Sequence, residues 1–202
     1  MKIDRKQKLL FIHIPKCGGT SIFGSFKMST WIENSHAKAS IVKNECPKMW
    51  KKFLKFCVVR NPWEAEVSSF FYKISIKEAR EGKDHLCAVL RGFPTSLRKA
   101  GVKAYPINKN SKFPDSMMRY ITDDNDEIIV DEILRLENIE SDLKSMCKKH
   151  NLKYPKKLHH WNQTSHLHYS HYYTEQWMID YVHEKNKDYI DYFKYEFEPE
   201  FC

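Results

Sequence analysis

Two short segments of the chain carry residues suited to binding phosphate groups. Residues 15–21 read Pro-Lys-Cys-Gly-Gly-Thr-Ser, and the two glycines let backbone N–H groups approach an anion at the start of a following helix. Lys16 adds a mobile positive charge. The order differs from a Walker A loop, in which the lysine follows the glycines. The segment predicts a phosphate cradle of another kind, with a plain tight turn before a helix as the alternative.

The second segment supplies a cation and a hydroxyl group. Arg60 follows an apolar run, and Ser68 comes eight residues later on a helix whose start is indicated by Asn61, Pro62 and Glu64. Ligands of open parallel sheets bind beyond the carboxyl ends of the strands. We therefore expect Arg60 and Ser68 to bind a second phosphate beside the first loop. The alternative is a surface arginine and an ordinary capped turn.

The elements that must position these segments alternate between strands and helices. Apolar residues 8–14 and 56–60 predict buried strands, each followed by a helix, over residues 21–28 and 61–76. This order favours an α/β domain with a mostly parallel sheet and both phosphate segments at the carboxyl ends of strands.

The second half of the chain is less regular. Residues 77–112 contain scattered glycines and prolines and predict loops and short helices. Residues 127–136 predict a strand, and residues 138–150 predict a helix with Ile139, Leu143 and Met146 facing inward. A last helix is expected from Thr174, as its cap, to about Phe193.

Composition limits the class of protein. The 202 residues are 42% hydrophobic with a net charge of +8, which predicts one globular domain over residues 1–202 and an anionic partner. The longest apolar run, residues 9–12, is far shorter than the roughly 20 residues that cross a bilayer. The polar start and the six scattered cysteines predict a cytoplasmic protein with reduced thiols. Asn162 begins an N-glycosylation sequon, which has no expected role in a protein that is not secreted.

The two phosphate segments resemble those of a known family. Residues 11–21 are similar to the 5′-phosphosulfate loop of the sulfotransferases, especially the branch of carbohydrate and heparan sulfate enzymes. Residues 58–63 with Ser68 are similar to that family's 3′-phosphate motif. The similarity continues more weakly through residues 135–142, 172–175 and 193–197, and so spans most of the chain.

This resemblance implies a fold and an activity. The fold is a three-layer α/β sandwich related to the P-loop kinases, with a mostly parallel central sheet. The activity is transfer of a sulfuryl group, without a metal, from 3′-phosphoadenosine 5′-phosphosulfate (PAPS) to an acceptor hydroxyl, expected to belong to a carbohydrate. The residues expected to bind the donor are Lys16, Cys17, Gly18, Gly19, Thr20, Ser21, Arg60 and Ser68.

Two residues of this set, Lys16 and Cys17, have side chains with a specific chemical role to consider. Lys16 would stabilise charge on the leaving phosphate. Cys17 stands where the family is expected to have Thr, Ser or Ala; backbone groups do most of the binding in such a loop, so the fold should tolerate it. A reactive thiol at a helix N-terminus is the alternative to a packing role for Cys17.

The expected general base is a histidine. His36 resembles the family histidine that precedes the second phosphate motif, and an imidazole suits proton abstraction near neutral pH. Glu33 and Glu45 are alternative bases, as is a histidine of the later cluster, and a surface histidine without a catalytic role is the further alternative.

Residues 154–173 are rich in aromatic side chains. The segment contains Trp161, Tyr169 and Tyr172 with five histidines, but it lacks the ligand spacing of a metal site. It predicts a lining of the acceptor cleft for sugar or aromatic acceptors, or a surface loop folded against the last helix.

Two rival functions remain at this stage. A nucleotide kinase would need a Walker A lysine and a magnesium-binding acid, which the sequence does not place. A basic nucleic-acid-binding module would use the net charge and the aromatic segment. Neither rival accounts for two phosphate segments in this order.

Overall fold

The computed structural model describes residues 2–30, 36–81, 116–161 and 166–200. For residues 73–81 it describes the backbone alone. The chain forms two units: Met1–Arg60 with Met117–Gln163, and Asn61–Ser116 with Thr164–Cys202. No helix within the described ranges is both long and apolar enough to cross a membrane.

A five-stranded sheet forms the centre of the first unit. The strands, numbered along the chain and given in their order across the sheet, are β3 (Ser29–Thr30), β1 (Lys2–Asp4), β2 (Leu9–Ile12), β4 (Leu54–Val59) and β5 (Glu132–Arg135). Strands β2, β4 and β5 pair in parallel, whereas β1 pairs antiparallel with both β2 and β3. The predicted mixed α/β class with a mostly parallel sheet is confirmed.

The central strand β2 is apolar throughout because both of its faces are covered. All four of its residues are buried, as is typical of a strand inside a parallel sheet. Its ladder ends at Ile12, two residues before the predicted end, and β4 begins two residues before its predicted start. The predicted strand over residues 127–136 is reduced to β5, because residues 127–129 bond instead across a turn to residues 121–123, where the Ile129 N–H donates to the Ile121 carbonyl at 3.0 Å.

The first unit also contains helices α1 (Gly19–Ser25), α2 (Ala39–Glu45), α3 (Pro47–Lys52) and α5 (Ile139–Lys149). Helix α1 begins two residues earlier than predicted. Helix α5 buries Leu143 and Met146 as predicted, whereas Ile139, at its first turn, is only half-buried. Helices α2 and α3 were not predicted, because each is only six or seven residues long and has too few apolar residues to show a helical period.

The described part of the second unit is helical. It contains α4 (Pro62–Glu81), α6 (Gln176–Lys185) and α7 (Lys187–Phe193). Helix α4 continues five residues beyond Ile76, so its predicted end was wrong. The loops and short helices predicted for the remaining residues 82–112 lie outside the described residues.

The single last helix predicted from Thr174 is wrong in two respects. The helix is interrupted at Asn186, whose buried side-chain amide donates to the Val182 carbonyl at 3.1 Å. The residue at the N-cap of α6 is Glu175, and the Thr174 hydroxyl contacts the Met178 sulfur at 3.9 Å.

Candidate active site

The loop between β2 and α1 is bent by two residues in the left-handed region. Lys16 has φ 65° and Gly18 has φ 69°. The Cys17 N–H donates to the Ile14 carbonyl at 3.3 Å and closes the turn. Turn conformations of this kind group successive N–H donors and are a common geometry for binding anions.

The two glycines of the loop are required by side chains from other elements. A Cβ atom at Gly18 would lie 2.6 Å from Cδ1 of Leu136, and the positive φ also favours glycine there. A Cβ atom at Gly19 would overlap the ring of His13, with Cε1 only 2.7 Å away. The loop is therefore shaped by close packing on both sides.

Arg60 joins the two phosphate segments of the sequence. It follows β4, which lies beside β2 in the sheet with Ile12 opposite Cys57. Its guanidinium Nη1 donates to the carbonyl of Lys16 at 2.9 Å. The structure thus brings Arg60 to the backbone of the first phosphate loop, at the carboxyl ends of two parallel strands.

The helix start that follows Arg60 has the predicted cap. The Asn61 side-chain oxygen accepts from the N–H groups of Trp63 at 3.0 Å and Glu64 at 3.3 Å. Helix α4 then begins at Pro62, as predicted. Ser68 lies on α4 in the second unit with its side chain buried, and its role in binding phosphate stays a prediction.

The side chains of Cys17 and Ser21 are occupied by internal contacts. Cys17 is fully buried, and its sulfur lies 3.5 Å from the Pro15 carbonyl, which favours the packing role over the reactive thiol. The Ser21 hydroxyl accepts from the Trp161 N–H at 2.9 Å and donates to the Trp161 carbonyl at 3.3 Å. Ligand contacts by Cys17, Thr20 and Ser21 remain predictions.

His36 is held against the end of β2. Its Nδ1 atom lies 3.2 Å from the carbonyl oxygen of His13, and the two imidazole centroids are 4.3 Å apart. A carbonyl only accepts, so Nδ1 donates, and in the neutral ring Nε2 is the nitrogen that can take up a proton. A general base that accepts its proton at Nε2 requires this tautomer.

His13 is the site residue that the sequence reasoning missed. It is only 8% exposed and stacks on Phe11 with centroids 5.6 Å apart. Burial, followed by the positive charges of His36, Lys2 and Lys16, lowers the pKa of His13 to about 3. Its Nδ1 atom has no hydrogen-bond partner among the described residues. A histidine in an otherwise apolar strand was the signal available in the sequence.

The remaining candidates are dispersed. Glu45 is exposed at the last turn of α2, and Glu33 lies outside the described residues. Trp161 belongs to the first unit, whereas Tyr169 belongs to the second, where it is buried against Tyr173 and Phe197. Across the described ranges, no three His, Cys, Asp or Glu side chains are grouped so as to hold a metal ion.

The later segments with weak family similarity have structural roles. Leu136 packs against Gly18 of the phosphate loop. Within the second unit, the Tyr173 hydroxyl donates to the Trp63 carbonyl at 2.9 Å, and the Asn61 amide donates to the Glu196 carbonyl at 3.2 Å. These contacts fix the first turn of α4.

Comparison with protein families agrees with this geometry. A family model described as the Sulfotransferase family matches residues 1–196. The chain belongs to the sulfotransferase family, since the match covers nearly its whole length. Comparisons with curated proteins and with solved structures give no significant match. Family membership supports sulfuryl transfer and does not favour the kinase or nucleic-acid alternatives.

Gly19→Ala should destabilise the protein through its contact with His13. Alanine in a helix ordinarily stabilises relative to glycine, but here the added Cβ overlaps the imidazole, and overpacking costs about 1–3 kcal/mol. Chemical denaturation would measure the free energy of unfolding, with Thr20→Ala as a control that adds no atoms to the same helix. In a His13→Ala background the cost should largely disappear. An unchanged or increased stability of Gly19→Ala alone would contradict the contact.

The buried His13 should make stability depend on pH. Its pKa in the folded chain, about 3, lies below the ordinary 6.5, so between these values the unfolded chain binds a proton that the folded chain does not. Stability is retained above pH 6.5 and falls as the pH decreases toward 3.

Replacing His13 should remove this dependence. When the pH is lowered from 6.5 to 5, the free energy of unfolding of His13→Asn should fall by about 1.6 kcal/mol less than that of the wild type, measured by urea unfolding at each pH. His183→Asn, at a position whose side chain is 41% exposed, should follow the wild type. Parallel pH curves for His13→Asn and the wild type would refute the assignment.

Proposed function

We propose that this protein transfers a sulfuryl group from PAPS to a hydroxyl group of a carbohydrate acceptor. The observation that carries the proposal is the hydrogen bond from Arg60 to the Lys16 carbonyl, which joins the two phosphate segments in a chain of the sulfotransferase family. A single domain over residues 1–202 with a three-layer arrangement is part of the same proposal, supported by the family match over residues 1–196.

The chemistry of the available donors fits a nucleotide with phosphate and sulfate groups. Lys16 and Arg60 supply two cations at one end of the sheet, and the bent loop supplies backbone N–H groups. Lys16 through Ser21 would hold the phosphosulfate end, and Arg60 the 3′-phosphate. Ser68 remains in the proposal on the sequence resemblance alone. The proposal contains no metal ion, because the resemblance is to enzymes that work without one.

The residues of the site would divide the work of the reaction. PAPS supplies a sulfuryl group bonded to a phosphate, which leaves as 3′,5′-ADP when the acceptor oxygen bonds to sulfur. Lys16 and the loop N–H groups would stabilise the charge that develops on the leaving phosphate. Nε2 of His36 would take the proton of the acceptor hydroxyl, because Nδ1 donates to the His13 carbonyl.

Ligand-dependent thermal stability separates this proposal from its rivals. A ligand that binds only the folded protein raises the melting temperature, by an amount that grows with the logarithm of its concentration divided by its Kd. We expect 3′,5′-ADP to raise the melting temperature, with smaller shifts from ATP with magnesium and from single-stranded DNA. A larger shift with ATP and magnesium would favour a kinase, and a larger shift with DNA would favour a nucleic-acid-binding module.

Arg60→Ala should weaken the binding of 3′,5′-ADP. The variant loses a charged hydrogen-bond donor and the bond that holds the Lys16 carbonyl, so we expect a loss of about 1.5–3 kcal/mol. Isothermal titration calorimetry on the folded variant would measure the loss, with the exposed arginine variant Arg5→Ala as the matched control. Equal affinities of Arg60→Ala and the wild type would remove the main support for the proposed donor site.

His36→Ala should lower turnover without changing nucleotide affinity. Loss of a general base costs roughly 10²- to 10⁴-fold in kcat. The assay is sulfate transfer from labelled PAPS at saturating acceptor, beside calorimetry with 3′,5′-ADP. His150→Ala removes another imidazole of the same unit, one that bonds to Glu132 at 2.7 Å, and should stay near the wild-type rate. Near wild-type turnover of His36→Ala would move the base role to another residue and leave the donor site untouched.

A further inference from the structure

Residues 196–200, Glu-Phe-Glu-Pro-Glu, belong to the second unit and lie outside any helix or strand. Side chains of the 3₁₀ turn over residues 169–172 bond to their backbone. The Glu198 N–H donates to the hydroxyl of Tyr169 at 2.7 Å, and the Glu200 N–H donates to the hydroxyl of Ser170 at 3.1 Å. We call residues 196–200 the strap.

Phe197 is the residue by which the strap packs against the rest of the second unit. Its ring meets those of Tyr173, Tyr169 and Trp63 edge-on, with centroids 5.4, 5.5 and 5.7 Å apart. Aromatic pairs favour this edge-to-face geometry. The other four residues of the strap are exposed, so Phe197 alone anchors the strap by packing.

Asn61 links the strap to the start of α4. Its amide nitrogen donates to the Glu196 carbonyl at 3.2 Å, whereas its amide oxygen accepts from the N–H groups of Trp63 and Glu64. The Tyr169 hydroxyl also hydrogen-bonds to the Asn61 side chain. An amide that donates on one side and accepts on the other has a fixed orientation. The strap therefore holds the residue that caps α4.

Trp63 fixes the rotation of α4 about its own axis. Its indole N–H donates to the Ile179 carbonyl of α6 at 3.1 Å, and its backbone carbonyl accepts from the Tyr173 hydroxyl at 2.9 Å. Because residues of one helix turn together, these contacts also set the direction of Ser68, which is buried on the same helix. Arg60 directly precedes the cap. Both residues of the second phosphate segment are therefore attached to the turn that the strap holds.

We propose that Phe197 is a positioning residue for the 3′-phosphate of the donor. Its ring keeps the strap on Asn61, and so keeps the first turn of α4 in the orientation that binds this phosphate. Phe197 acts through Asn61 and does not itself contact the nucleotide. The inference rests on the proposed function, because it takes Arg60 and Ser68 as ligands of the 3′-phosphate.

Two nucleotides that differ only in the 3′-phosphate isolate its contribution to binding. The probes are 3′,5′-ADP, titrated calorimetrically into the full chain, and AMP, measured by displacement of 3′,5′-ADP. The ratio of the Kd of AMP to that of 3′,5′-ADP reports the 3′-phosphate, because damage elsewhere in the site weakens both ligands together. Phe197→Ala should lower this ratio at least tenfold, with the affinity for AMP within about twofold of the wild type. Phe197→Leu, which keeps an apolar side chain among the aromatic rings, should retain most of the ratio.

A milder variant covers the case in which Phe197→Ala does not fold. Tyr169→Phe keeps the aromatic contact with the strap but removes the hydroxyl that accepts from the Glu198 N–H. It should lower the ratio several-fold. Tyr192→Ala, which removes a ring that is 58% exposed on α7, should leave the ratio unchanged.

The outcomes separate the positioning role from the donor proposal. A wild-type ratio in folded Phe197→Ala, or in Tyr169→Phe where Phe197→Ala does not fold, overturns the positioning role alone. Equal weakening of both nucleotides also overturns it, because a purely structural role produces that result. A wild type that binds AMP and 3′,5′-ADP equally overturns the donor proposal, and the positioning role with it.

Discussion

The parallel pairing of β2 with β4 is the constraint on which the candidate site depends. Parallel neighbours end at the same edge of a sheet, so the residues that follow Ile12 and Val59 are brought together although more than forty positions separate them in the chain. The bond from Arg60 to the Lys16 carbonyl follows from this register. A shift of one residue would turn the apolar side chains of β2 to the opposite faces and move Arg60 away from the loop.

The shape of the phosphate loop is set largely by residues outside it. Leu136 occupies the space beside Gly18, and His13 occupies the space beside Gly19, so each glycine is required by a neighbour. Leu136 follows β5, the other parallel neighbour of β4, and is therefore placed by the same sheet. The sheet thus positions the charged residues Lys16 and Arg60. It also positions Leu136 and His13, whose packing against the glycines shapes the backbone of the loop.

The sequence predicted those features that have a local cause. Four successive apolar residues specify the buried strand β2, and the Asn61-Pro62 pair specifies the start of α4. Strand β1 was missed because only Ile3 of its three residues is apolar and its pairing depends on β2 and β3. The break at Asn186 was missed because helical periodicity continues across it. The contact of His13 with Gly19 and His36 joins three positions that no local pattern relates.

The neutral state of His13 gives this contact a chemical consequence. An imidazole with a pKa of about 3 carries no charge near neutral pH, although its ring centroid lies 4.3 Å from that of His36. A protonated His13 would repel a proton arriving at His36, whereas the neutral ring does not. The buried Nδ1 atom, which finds no hydrogen-bond partner in the described part of the chain, costs about 1–3 kcal/mol of stability. An apolar side chain could fill the same space as His13 without this cost. The cost is therefore the physical reason to look for a function of His13.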